Sequence, residues 1–102
     1  MKTSDMKDAA LNWAVAKCEG AVGANDRLPW YCPSTNWEQG GPIIEREGIT
    51  IARRGKHSWS EWGAVLNDFE FDEEGTTPLI AAMRCFVASK LGDNIDIPKE
   101  LT

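Results

Sequence analysis

The stretch Thr77-Pro78-Leu79-Ile80-Ala81-Ala82-Met83-Arg84-Cys85-Phe86-Val87-Ala88-Ser89-Lys90-Leu91-Gly92 decides the architecture of this chain. Thr77 can cap a helix, because its side-chain oxygen accepts an amide hydrogen that a first turn leaves unpaired. Pro78 then stands at the first helical position, where a missing N–H costs nothing and a fixed φ suits the helix. Gly92 ends the segment. The pattern predicts a helix over 77–91 with almost no polar face. Such a helix lies inside a core or at a subunit interface. Arg84 is the exception and needs a partner.

Outward from this helix, residues 4–19 read as a second one. Ser4 or Asp5 can cap it, and Leu11, Ala14, Val15 and Cys18 fall on one face. Trp13 lies off the centre of that face. Gly20 stops the helix, and 20–29 read as an exposed loop. Residues 49–54 read as a strand with Ile49 and Ile51 on one side. The segment 57–71, with Trp59 and Trp62, is ambiguous between strand and helical turn, although Phe69 and Phe71 alternate with acidic residues as on a strand edge. Glu73-Glu74-Gly75-Thr76 reads as a turn, and the tail 93–102 as an extended arm with Ile95 and Ile97 facing one way. The fold predicted is α+β: a small antiparallel sheet packed with two main helices, about 4–19 and 77–91, and a long aromatic loop.

That loop, residues 30–42, holds Trp30, Tyr31 and Trp37 with Pro33, Pro42 and the Gly40-Gly41 pair. Each proline removes a backbone donor and fixes φ, which argues against a regular helix. Ile43-Ile44 then reads as the start of a short strand, and Glu45-Arg46-Glu47-Gly48 as a turn. A loop at once aromatic, rigid and polar is what a recognition site needs.

The 102 residues make one domain, 1–102, with 42% hydrophobic residues and a formal charge of −5. Acidic balance repels phosphate backbones, so duplex nucleic acid is not an expected partner. The charge is uneven. Arg53, Arg54, Lys56 and His57 form a basic patch, able to hold a small anion or simply solvated. Asp68, Glu70, Asp72, Glu73 and Glu74 form an acidic one. The three cysteines, Cys18, Cys32 and Cys85, are odd in number and widely spaced, which speaks against a disulfide framework and a zinc site. No apolar run reaches the length of a membrane span, and the amino terminus lacks a signal core. The expectation is a cytoplasmic protein with reduced thiols, no membrane partner, no metal and no cofactor.

Catalytic sets are thin. The single histidine, His57, and Cys32 form a conceivable nucleophile–base pair that no spacing supports. Glu38, Glu45, Glu47 and Glu61 offer no distinctive carboxylate pair. No catalytic residue is assigned. The aromatic loop carries the better signal. Trp30 and Trp37 can stack on a base, worth about 1–3 kcal/mol per base. Ser34, Thr35, Asn36 and Gln39 can read hydroxyl or amide edges. Gly40 and Gly41 let backbone amides approach a ligand, and Arg46, Arg53, Arg54 or Arg84 can neutralise phosphate. Against this stands the plain reading, in which the tryptophans are core and Gly-Gly is an ordinary turn.

Three blocks of sequence carry a family resemblance: Leu11 to Gly20, Pro33 to Glu47 and Thr77 to Gly92. Together they resemble the NinX-like proteins of tailed phages and prophages, a family of unknown function. The resemblance implies a small accessory protein made inside an infected bacterium, of the kind that counters host defence. The expectation that follows is a non-enzymatic protein that sequesters a nucleotide-derived immune signal, of ADP-ribose or cyclic-nucleotide type. It is expected to be a homo-oligomer through the apolar helix. Two alternatives stay open: a protein–protein inhibitor of a host enzyme, and an enzyme that degrades the signal.

Overall fold

Pro78–Leu91 forms the helix that the rest of the chain packs around, as its apolar circumference requires. In a computed structural model, which describes residues 1–20, 30–54 and 62–101, the element order is α1 (Asp8–Cys18), α2 (Trp37–Glu47), β1 (Thr50–Arg53), β2 (Trp62–Leu66), β3 (Phe71–Gly75) and α3 (Pro78–Leu91). The fold is α+β, with a three-stranded antiparallel sheet in the order β1-β2-β3. Thr50 pairs with Val65, and Leu66 pairs with Phe71.

α3 starts and stops as its sequence dictates. Thr77 Oγ1 accepts from the Ile80 amide at 3.1 Å, and Gly92 follows the last turn at φ 88°. Leu79, Ala81, Ala82, Met83, Cys85, Phe86, Val87 and Ala88 are all buried. α3 meets all three strands, both other helices and the amino-terminal turn. Most of its apolar surface is therefore covered within one chain.

α1 is shorter than expected. Residues Thr3–Asp5 make a separate 3-10 turn, and the helix begins only at Asp8, with no side-chain cap from Lys7. Tertiary ties explain the break. Thr3 N donates to Asp93 O at 2.8 Å, Thr3 Oγ1 to Gly92 O at 2.6 Å, and the amino-terminal ammonium to Ile95 O at 2.8 Å. Met6 is driven fully into the core. These bonds strap the amino terminus to the segment after α3. Three backbone-directed bonds plus a buried Met6 outweigh one extra helical turn.

The aromatic loop contains a helix that its prolines argued against. α2 runs from Trp37 through Gly40-Gly41-Pro42 to Glu47. The expected strand at Ile43-Ile44 and turn at Glu45–Glu47 are both inside it. Three local features make this possible. Asn36 caps the start, its Oδ1 accepting from Glu38 N at 2.9 Å. Gly48 ends it at φ 71°, its amide bonded to Ile44 O at 3.0 Å. The residue before Pro42 is Gly41, which lacks the Cβ that makes a helical conformation costly there. Pro42 and Glu38 are both exposed, so water can serve the Glu38 carbonyl that Pro42 cannot.

Glu73, Glu74 and Gly75 lie in β3 and do not form the turn read from their sequence. The turn is earlier, at Asn67–Glu70, with positive φ at Asn67, Asp68 and Phe69. Gly75 permits this strand to run close to α3: a Cβ there would lie 2.6 Å from Ala81 N. In the tail, Ile95 is buried and Ile97 packs on the core, as their alternation suggested. The basic-patch residues Lys56 and His57, and Trp59 and Glu61, lie outside the described residues.

Candidate functional site

Residues 30–39 form an elbow that leads into α2. Cys32 O is its hub, accepting from Thr35 N at 3.0 Å and Asn36 N at 2.9 Å. The Thr35 hydroxyl adds a longer bond to the same oxygen at 3.4 Å. Pro33 is fully buried, and Ser34 is 1% exposed. Ser34 N and Oγ both donate to Asn12 Oδ1, at 3.1 and 2.7 Å, which ties the elbow to α1. Gln39 closes it from within α2: its Nε2 donates to Trp30 O at 3.0 Å and its Oε1 accepts from Cys32 N.

This scaffold presents two tryptophans to solvent. Trp30 is 66% exposed and Trp37 is 55% exposed. Trp30 also meets Tyr31 edge-on, with centroids 6.0 Å apart and planes at 76°. The other described tryptophans behave differently. Trp13 is buried in the core, its Nε1 without a hydrogen-bond partner among the described residues. Trp62 packs partly against the core, with Arg53 over its ring at 5.7 Å. The plain reading that tryptophans are core is therefore met by Trp13 and not by the loop residues Trp30 and Trp37.

The polar residues of the expected site divide as sharply. Ser34, Asn36 and Gln39 spend hydrogen-bonding groups on the fold, as bridge to α1, helix cap and clasp. Thr35 is exposed. Gly40 does not offer its amide to a ligand, because Gly40 N donates to Asn36 O at 2.9 Å. Its role is close packing: a Cβ at 40 would lie 2.4 Å from Pro33 O and 2.6 Å from Leu79 Cδ2. Gly41 has open space around it.

Neither Arg46 nor Arg84 joins the elbow tryptophans. Arg46, near the far end of α2, pairs with Glu19 after α1 and with Glu47 at 2.9 Å. Lys90 of α3 reaches the same Glu47 at 3.5 Å. These bonds hold the Glu47 carboxyl below its usual range, chiefly through the Arg46 hydrogen bond. Arg46 also lies over the Phe86 ring at 5.7 Å. It clamps three helices together.

Arg84 lines a cleft of about 470 Å³ with Ser4, Arg54, Asp72, Glu73 and Glu74, a wall that includes none of the elbow residues. Arg84 Nε donates to Met6 O and Nη1 to Glu74 O, both at 2.7 Å. Arg54 pairs with Asp72 at 2.7 Å and more loosely with Glu74 at 3.6 Å. Arg54 of the basic patch thus meets Asp72 and Glu74 of the acidic one across the sheet, because only β2 separates β1 from β3. Ser4 is not among the expected site residues, and the acidic run 68–74 is expected only as a docking face in the inhibitor alternative. The signal available was opposite charge on strands flanking a common neighbour. Among the described residues, no group of three His, Cys, Asp or Glu is placed to hold a metal ion, and no helix is long and apolar enough to cross a membrane. Cys32 is in the elbow, but its expected partner His57 lies outside the described residues.

The family model described as "Bacteriophage P22, NinX" matches residues 2–90, and the chain belongs to this phage family. No curated protein matches it.

Proposed function

We propose that this member of the NinX family is a phage accessory protein that binds a small nucleotide-derived host signal at the 30–39 elbow and retains it uncleaved in the cytoplasm of the infected cell. The observation that carries the reading is the pair of exposed indoles, Trp30 and Trp37, on a rigid support. Leaving a Trp in water forgoes burial worth roughly 2–3 kcal/mol, and the elbow uses its internal hydrogen bonds to hold both residues there. Rigid exposed aromatics lose little entropy when a flat ring stacks on them.

The reading is narrower than the sequence expectation. Stacking belongs to Trp30 and Trp37, while Arg46 and Arg84 are engaged elsewhere. The ring of the ligand is therefore the recognised part, with Thr35 and Glu38 the exposed polar residues of the elbow. The absence of a catalytic pair beside these residues in the sequence favours retention over turnover.

The test is to mix the purified chain with ADP-ribose derivatives and with cyclic dinucleotides, follow thermal unfolding, then heat the complex and identify what is released. A raised Tm with intact ligand recovered supports sequestration. Loss of one stacked ring in Trp37→Ala or Trp30→Ala weakens affinity by about 5- to 150-fold. No thermal shift with any of these compounds sinks the proposal, and a chemically altered product makes the chain an enzyme.

One observation favours a second reading, inhibition of a host enzyme by docking. Phe69 is 73% exposed at the tip of the β2–β3 turn, between Asp68 and Glu70. An apolar anchor in an acidic rim suits a basic-rimmed pocket on a protein. Phe69→Ala leaves nucleotide binding unchanged under the first reading and abolishes host-enzyme inhibition under the second.

A further inference from the structure

We propose that the cleft beside β3 is a second binding site, independent of the elbow, for a small amino-acid-type zwitterion. The ligand carboxylate meets Arg84 and its ammonium meets Glu73.

The fold leaves two charges incomplete. Arg84 leaves α3 half-buried, and its Nε and Nη1 are held by the carbonyls of Met6 and Glu74. Carbonyl oxygens orient a guanidinium without neutralising it. Among the described residues no carboxylate lies within ion-pair distance of Arg84, and its Nη2 makes no hydrogen bond. Glu73 lines the same cleft and likewise has no cation within ion-pair distance among the described residues. Both groups are electrostatically under-served. Burial pushes the Arg84 guanidinium down and the Glu73 carboxyl up, and each feels the other only at a distance.

A direct Arg84–Glu73 bond would satisfy both, but Arg84 is pinned by its two carbonyls. The space between them is large enough for a small molecule, at about 470 Å³ for the whole cleft. The other wall charges already engage one another, since Arg54 pairs closely with Asp72 and more loosely with Glu74. A simple anion would approach three carboxylates, and a simple cation two arginines. A molecule carrying both charges a few bonds apart relieves Arg84 and Glu73 together. Fixed charges on preoriented donors give the shorter, stronger class of hydrogen bond.

The experiment is an NMR titration of the full chain with a panel of common amino acids, and with acetate and methylammonium, which each carry one of the two charges. The proposal expects saturable shifts at the amides of residues 72–74 and 84 with at least one amino acid. Acetate and methylammonium bind about tenfold or more weakly. Arg84→Gln removes the carboxylate contact and Glu73→Gln the ammonium contact, and each weakens binding by a similar factor. Arg84→Gln also loses a structural bond, so a misfolded variant is set aside and near-isosteric Glu73→Gln decides. Trp37→Ala leaves this binding intact, which separates it from the elbow. No saturable shift with any amino acid overturns the proposal, as does acetate binding equally well or Glu73→Gln binding like the parent chain.

Discussion

Gln39 clasps the backbone that presents Trp30: its Nε2 donates to Trp30 O at 3.0 Å, and its Oε1 accepts from Cys32 N. One side chain on the first turn of α2 thereby fixes the approach of the residues before it. Gln39→Ala frees Trp30 and leaves the partly buried Cys32 amide without its acceptor. The expected cost is about 1–2 kcal/mol in chemical unfolding. Ligand affinity at the elbow falls further than Trp37 exposure alone would dictate, since a loosened platform must be ordered on binding. Unchanged stability in Gln39→Ala would mean the clasp contributes nothing.

Gly40→Ala tests whether the Gly-Gly pair serves packing. Its new Cβ meets the Pro33 carbonyl, which is backbone and cannot swing away, and Leu79 Cδ2. Overpacking of this kind costs about 1–3 kcal/mol. Higher helix propensity of Ala returns at most about 1 kcal/mol. Net destabilisation in urea is expected.

Pro42→Ala has the opposite sign. It restores an N–H facing the Glu38 carbonyl and removes the ring from the interior of α2, a defect worth up to about 3 kcal/mol. Proline's restraint of the unfolded chain offsets about 0.4–1 kcal/mol of that gain. A Tm increase is expected, and a decrease would show that Pro42 itself packs productively.

Glu73 and Glu47 give opposite pH signatures. The Glu73 carboxyl is raised by burial, with Asp93 adding to the rise. Its ionisation therefore costs stability above the raised value, and the cost vanishes below the ordinary carboxylate value of about 4.3. Glu73→Gln stabilises at neutral pH, and the gain closes as pH falls through that window. Glu47 is lowered, first by the Arg46 hydrogen bond. Its contribution is present above the ordinary value and is lost as pH falls through the lowered one. Glu47→Gln therefore destabilises at neutral pH and is silent in acid. Urea midpoints across pH check both.

The thiols should react unequally. Burial pushes Cys18 and Cys85 up to about 12, and Cys85 is fully enclosed by the core. Thiolate is the reactive form. A disulfide-exchange reagent near pH 8 is expected to consume Cys32 first, and the other two chiefly after unfolding. Simultaneous reaction of all three would contradict the enclosed position of Cys85.

Much of this molecule is legible without coordinates. Thr77, Pro78 and Gly92 specify a helix by local chemistry, and the unbroken apolar run between them specifies that it is central. Ile49 and Ile51 mark a strand by alternation, and three blocks of sequence mark the phage family to which the chain belongs. These signals are local, and a local signal survives because capping, fixed φ and side-chain period act within a few residues.

What only the tertiary structure decided depended on distant partners. The helix through Pro42 needed Asn36 to cap it and Gly40 to nest against Pro33 and Leu79, so the rule against internal proline yielded to packing. The early break in α1 came from bonds between Thr3 and the segment after α3. Whether Trp30 and Trp37 are core or exposed is open in the sequence, and the fold leaves both in water while it buries Trp13. Arg46 and Arg84 were equivalent candidates until α1 brought Glu19 to one and β3 brought the Glu74 carbonyl to the other. The sequence alone determined which residues are capable of binding. The fold determined which are free to do so, because a hydrogen-bonding group already satisfied by the chain has little left to offer a ligand.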